Sequence, residues 1–137
     1  MASIALMALL HFTFPVVKLL DFPWNLGGMV LLLAGALLNL SADQAFKTYQ
    51  TTVKPFEESS VLITSGVFGL SRNPMYLGMV LILLGIALLL GTLTPVLIIP
   101  VFTLAMNVVF ITAEEHMLAE KFGEDWEKYK NKVRRWL

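Results

Sequence analysis

The sequence predicts an all-α membrane protein. About four transmembrane helices, a cytoplasmic loop and a C-terminal amphipathic helix should together form a pocket. Three observations predict this. Of 137 residues, 57% are hydrophobic and 15% charged, whereas soluble domains run nearer half and a quarter. Two stretches carry no charge at all: 21 residues between Asp21 and Asp43, and 41 between Arg72 and Glu114. The ten Lys and Arg residues are also very unevenly distributed. The length suits one domain spanning 1–137.

Taken in chain order, the first candidate span is 2–20. It is the weakest, because it carries His11, Pro15 and Lys18. It lacks the basic start and small-residue cleavage site of a secretory signal, so it reads as a retained helix. The second span, 24–40, fills the first uncharged gap, and about 20 apolar residues cross a bilayer. The second gap holds two spans, 75–90 and 95–113, broken near Gly91-Thr92-Leu93-Thr94-Pro95. Each is close to the lower length limit of roughly 17 residues. A soluble hairpin this apolar would need more surrounding protein than the chain supplies.

Four spans leave 41–74, 114–137 and the N-terminus on one side. Nine of the ten Lys and Arg residues fall there, and only Lys18 lies toward the other. Positive residues concentrate on the cytoplasmic side. Both termini and the polar segments are therefore expected in the cytoplasm.

The loop 41–74 should begin as a helical continuation over Asp43–Gln50, with Ala45, Phe46 and Tyr49 on one side, stopped by Thr51, Thr52 and Pro55. Val61–Thr64 is β-prone and Ser65-Gly66 reads as a turn. Asn73 is a natural N-cap, and Pro74 suits the first helical turn. The fourth helix should run on to Phe122 and stop at Gly123. Glu124, Asp125 and Glu127 then open a last helix, which Lys128, Lys130, Lys132, Arg134 and Arg135 close, in the order the helix dipole favours. Leu118, Phe122, Trp126, Tyr129 and Val133 form one apolar stripe, expected to pack on the loop or on the membrane surface.

Composition excludes several functions. A net charge of zero argues against nucleic-acid binding, and with no cysteine there is no thiol or disulfide chemistry. Two distant histidines, His11 and His116, make no metal site, and none is expected. Both read as packing or helix-surface residues. No dinucleotide, phosphate-loop, zinc-protease or serine-hydrolase motif occurs. What remains is a polar set near the cytoplasmic interface: Arg72, Asn73, Tyr76, Glu114, Glu115, His116 and Arg135. Charges at that depth are costly unless paired or used. The third and fourth helices are antiparallel neighbours, so Asn73 and Tyr76 at the start of one should meet the Glu pair on the other.

Residues 62–78, Leu-Ile-Thr-Ser-Gly-Val-Phe-Gly-Leu-Ser-Arg-Asn-Pro-Met-Tyr-Leu-Gly, resemble the signature of the integral-membrane methyltransferases. That group includes the isoprenylcysteine carboxyl methyltransferases and the phospholipid N-methyltransferases. Glu114-Glu115-x-x-Leu118 with Phe122-Gly123, and Trp126-x-x-Tyr129-x-x-x-Val133-x-Arg135-Trp136, are similar to its later motifs. The likeness covers about 45–137.

The resemblance implies an S-adenosylmethionine site, with cofactor-binding residues Gly66, Leu70, Arg72, Asn73, Tyr76, Gly78, Glu114 and Glu115. Glu115 and Arg135 are the implied catalytic pair, Arg135 orienting an anionic group. Backbone amides near Gly66–Leu70 could meet the adenine or the methionine carboxylate. The implied function is methyl transfer at the membrane interface to a lipophilic or membrane-bound acceptor: a prenylcysteine carboxylate, a phospholipid amine or a small thiol. Asn73 stands where histidine is common in the family, which argues against a proton shuttle there, and Phe68 replaces a hydroxyl-bearing aromatic. A non-enzymatic membrane scaffold that keeps the fold is the alternative. A small transporter is a third reading, against which no charge lies mid-helix. Gly27, Gly28 and Gly35 could serve dimerisation or packing within the chain.

Overall fold

A computed structural model describes residues 2–51 and 59–137. Its contacts divide the chain into two compact units, Met1–Leu37 with Gly78–Leu104, and Leu38–Leu77 with Ala105–Leu137. Everything regular in it is helical. Among the described residues the sole β pairing is an isolated bridge between Lys18 and Thr92.

In the first unit, α1 (Ala2–Thr13) stops well short of the expected residue 20. The reason lies in residues 14–20, which pair with the 91–94 turn. Leu19 and Leu20 donate to the Gly91 carbonyl, Leu93 donates to the Val17 carbonyl, and the Thr94 hydroxyl donates to the Phe14 carbonyl. Pro15 cannot donate in a continued helix, so these non-local bonds win. Gly91 sits at φ +68, and a Cβ there would lie 2.5 Å from the Leu20 carbonyl. His11 reaches the Thr92 hydroxyl at 2.9 Å, a contact within this unit. Met7, Leu83 and Ala87 form the core of this unit.

A short 3-10 turn, Trp24–Gly27, leads into α2 (Gly28–Thr48). The expected membrane span and its helical continuation are thus one uninterrupted helix. The proposed stop at Thr52 and Pro55 lies outside the described residues. Helix α3 (Pro74–Leu90) begins at the expected proline. The two helices approach closely through facing glycines: a Cβ on Gly28 would lie 2.3 Å from the Gly85 carbonyl, and one on Gly35 would lie 2.5 Å from the Gly78 carbonyl. Two of the three glycines of α2 and its approach therefore pack within the chain, while Gly27 meets nothing within 4 Å.

After α3 come a single turn, α4 (Leu93–Val96), then α5 (Ile98–Met106), a π turn (Asn107–Ile111), α6 (Thr112–Phe122) and α7 (Glu124–Lys132). Two helical runs are long and apolar enough to cross a membrane, Trp24–Thr48 and Leu93–Phe122. Ala2–Thr13 and Pro74–Leu90 are shorter. Leu33, Leu37, Val101, Leu104 and Val108 are all more than half exposed. Exposed apolar side chains of this kind are what a lipid-facing helix presents.

In the second unit the loop packs on the end of α2. Ala42, Ile63 and Phe68 form a buried cluster with Ala45, Phe46 and Met75, and Phe46 meets Phe68 edge to face. Residues 61–64 form no strand; Ile63 is held by side-chain packing instead. The predicted apolar stripe does pack on the loop: Trp126, Tyr129 and Val133 are buried with Leu62, Leu118 and Phe122. Gly123, at φ +48, ends α6 as expected.

Candidate functional site

The second unit gathers most of the polar residues singled out from sequence. Glu115 on α6 is their hub, with its side chain only 11% exposed. Arg135 grips it with two bonds, Nε to Oε1 at 3.1 Å and Nη2 to Oε2 at 2.5 Å. Arg72 Nη2 lies 3.5 Å from Oε1. Two guanidinium groups thus share one carboxylate, which leaves the cluster one positive charge in excess.

Arg72 is the more constrained of the two cations. Its side chain is 9% exposed, and its guanidinium lies 5.6 Å from the centre of the Trp126 ring. A cation over an indole face is favourable. Its Nε and Nη1 atoms, however, are buried with no hydrogen-bond partner. Desolvated N–H groups without a partner are costly. The cluster therefore carries a net positive charge and buried donors that no group within it satisfies.

The segment that carries Arg72 is fixed from the far end of the chain. The Ser71 hydroxyl and the Asn73 side-chain amide both donate to the Arg135 carbonyl, at 3.1 and 3.2 Å, and the Arg72 N–H donates to the Arg134 carbonyl at 3.0 Å. Asn73 precedes α3, and its own carbonyl accepts from the Leu77 N–H at 3.0 Å. These bonds correct the expected end of α7. Arg134 and Arg135 do not close that helix; it stops at Lys132, and Val133 is already extended. Leaving the helix frees the two carbonyls for Ser71, Arg72 and Asn73, and swings the Arg135 guanidinium onto Glu115.

Glu114, next in sequence to Glu115, faces elsewhere. The Tyr76 hydroxyl donates to its Oε1 at 2.8 Å, and the Tyr76 ring lies 6.3 Å from that of Phe110. The start of α3 and the Glu pair do meet, as antiparallel neighbours should. The glycine-turn residues sit apart from these bonds. Gly66 opens a 3-10 turn at φ +61, and Leu70 is exposed at its end. The Phe68 and Leu70 N–H groups are already spent on the Ser65 and Val67 carbonyls. Gly78 falls in the first unit, its carbonyl against Gly35.

Three contributors were not singled out for this role. Asn107 Oδ1 accepts from Arg135 Nη1 at 3.0 Å. Its signal was a carboxamide inside an apolar helix, seven residues before Glu114. Ser71, wholly buried, bonds both Arg135 and the Asn73 N–H. The Tyr129 hydroxyl donates to the Phe68 carbonyl at 2.7 Å and ties α7 to the glycine turn. Burial pushes its pKa up to about 12, with the Arg72 charge pulling down and the Glu115 charge pushing up. His116 pairs with Glu120 on the exposed surface of α6 and stays outside the cluster, as expected. Among the described residues no group of acids and histidines is placed to hold a metal.

Comparison with known proteins completes the picture. Over 63 residues the chain is 46% identical to an uncharacterized protein of Haemophilus influenzae, a match covering all of that protein and 46% of this chain. Over 76 residues it is 36% identical to the protein-S-isoprenylcysteine O-methyltransferase of Schizosaccharomyces pombe, covering 53% of this chain and 31% of that enzyme. The sequence model of the phospholipid methyltransferases matches residues 24–125, which include α2, α3 and the whole Glu114–Glu115 helix. Apolar helices, a polar cluster at their ends and this match agree: the chain is a membrane protein of the phospholipid methyltransferase family.

Proposed function

We propose that the protein is an S-adenosylmethionine-dependent methyltransferase acting on a lipophilic or membrane-bound acceptor. One observation carries the reading: Arg72 is buried beside Glu115 with two unpartnered N–H-bearing nitrogens. The cofactor's methionyl part bears a carboxylate, and a guanidinium edge is the natural receptor for one. The residues present therefore fit the group. Arg72 would hold the carboxylate, while Glu114 and Tyr76 offer oxygens to its ribose or amino groups.

When bound, the cofactor supplies an activated methyl group for in-line displacement. The chain's own task is then to hold the reactants in line, which can provide much of the rate. Glu115, with both oxygens engaged by Arg72 and Arg135, suits orientation better than proton transfer. Asn73 has no acid–base chemistry near neutrality, so an ammonium acceptor would have to lose its proton elsewhere.

In the same reading α1 and α3 join the two longer helices to make four spans, with both termini and the cluster in the cytoplasm. The distribution of Lys and Arg supports that orientation. Reporter fusions at residues 22 and 92 should be reached from outside, and those at 50 and 137 from inside.

Calorimetric titration of S-adenosylmethionine and S-adenosylhomocysteine into purified protein in nanodiscs tests the function. Micromolar binding, lost in Arg72→Gln with folding intact, is the expected result. No binding to folded wild type would sink the reading and leave the membrane scaffold in its place. Labelled-methyl transfer to lipid amines, prenylcysteines and thiols would then identify the acceptor.

A further inference from the structure

The helical run Leu93–Phe122 is not uniform, because a π turn at Asn107–Ile111 interrupts it. Such a turn accommodates one extra residue, and these turns gather at functional sites. An α-helix advances about 100° per residue, so residues eight apart point about 80° apart. Asn107 and Glu115 are spaced that way in sequence. With one residue absorbed they behave as though seven apart, and align to within about 20°.

The side chains match that geometry. The Arg135 guanidinium spans the pair, with Nη1 on Asn107 Oδ1 at 3.0 Å and Nε and Nη2 on Glu115. The backbone agrees, since the Thr112 N–H donates to the Asn107 carbonyl five residues back, which the Thr112 hydroxyl also meets at 2.8 Å. Glu114, one position earlier than Glu115, is turned away from this line and meets Tyr76. The π turn thus places a neutral acceptor in line with Glu115, while the ordinary helical step of about 100° turns Glu114 toward Tyr76.

We propose that Asn107 is a positioning residue: seated on the π turn, it holds the Arg135 guanidinium in a single orientation against Glu115. Two bonds to Glu115 fix one edge of the group, and Asn107 fixes the far nitrogen. A guanidinium has five N–H donors. Three are used here, which leaves one N–H on each terminal nitrogen of a side chain 35% exposed. The inference rests on the methyltransferase reading only where cofactor affinity is used to measure it.

The chain has three arginines, Arg72, Arg134 and Arg135, so an arginine-selective nitrogen NMR spectrum is simple to read. The full chain is labelled and placed in nanodiscs, with Arg135→Lys assigning the signals. Wild type should give separate signals for the two terminal nitrogens of Arg135, because rotation about its Nε–Cζ bond is blocked. Asn107→Leu leaves only the two Glu115 bonds to oppose that rotation, so exchange between the two signals should quicken about tenfold and S-adenosylhomocysteine binding should weaken about tenfold, the equivalent of one hydrogen bond to a charged group. Asn107→Asp keeps the acceptor oxygen and should preserve both readouts. Asn107→Ser, too short to reach, repeats the Leu test should Leu disturb the helix. An unchanged exchange rate between the two Arg135 signals in folded Asn107→Leu and Asn107→Ser, or an Asp variant no better than Leu, would overturn the proposal. Wild type with separate signals but no affinity for either cofactor form would support the positioning and overturn the methyltransferase reading, so the two fail separately.

Discussion

Gly35 faces Gly78 across α2 and α3, and Gly28 faces Gly85 one heptad away in the opposite chain directions. A Cβ on Gly35 would lie 2.5 Å from the Gly78 carbonyl and 2.9 Å from Ile82. Backbone, not a movable side chain, blocks that position. Gly35→Ala and Gly28→Ala should each destabilise the protein by about 1–3 kcal/mol, the usual cost of overpacking. Gly27→Ala, with nothing within 4 Å, should cost far less. Unfolding by denaturing detergent measures all three, and equal effects would refute the seam.

Glu115 offsets two cations. Glu115→Ala leaves Arg72 buried and without an opposite charge. Breaking a buried pair from one side costs about 3–5 kcal/mol. A figure at the low end is expected, because Arg135 keeps a third of its side chain in solvent. Removing Arg72 as well, in Glu115→Ala with Arg72→Met, should recover part of the loss. The same unfolding assay checks it, and strict additivity of the two changes would show that they do not interact.

Tyr129→Phe removes one hydrogen bond, to the Phe68 carbonyl, and should cost about 1 kcal/mol near neutral pH. The pH dependence has a defined sign. Folding raises the Tyr129 pKa from 10.0 to about 12. Its contribution is therefore full below about pH 10 and is lost as pH rises through 12. The gap between wild type and Tyr129→Phe should narrow over that window. A gap that widens there would contradict the assignment.

Gly123 joins α6 to α7 at φ +48 and ψ −116, where a Cβ would meet nothing within 4 Å. Space is free, so only backbone strain opposes a substitution. Gly123→Ala should cost about 1–3 kcal/mol. Burial of Trp126, followed by its fluorescence, should loosen in parallel.

Much of this was legible in the sequence because it is local. The stripe from Leu118 to Val133, the stop at Gly123 and the start at Pro74 follow from periodicity and backbone chemistry. The meeting of Tyr76 with Glu114 followed from an antiparallel hairpin. The largest errors are non-local. Residues 14–20 looked helical until the 91–94 turn offered them partners. Arg134 and Arg135 looked like a helix end until Ser71, Arg72 and Asn73, more than 60 positions away, claimed their carbonyls. Asn107 had a visible oddity, but its alignment with Glu115 depends on a π turn that no α-periodic reading contains.

The stitching of Arg134 and Arg135 to the start of α3 also sets an order of events. A ribosome delivers Arg72 long before it delivers Arg135, and domains assemble as they emerge. Until residues 134 and 135 are made, Ser71 and Asn73 have no carbonyl to bind and Glu115 has only one of its two cations. The cluster closes only when translation has passed residue 135. A nascent chain stalled a few codons earlier would hold every apolar helix and still lack the latch.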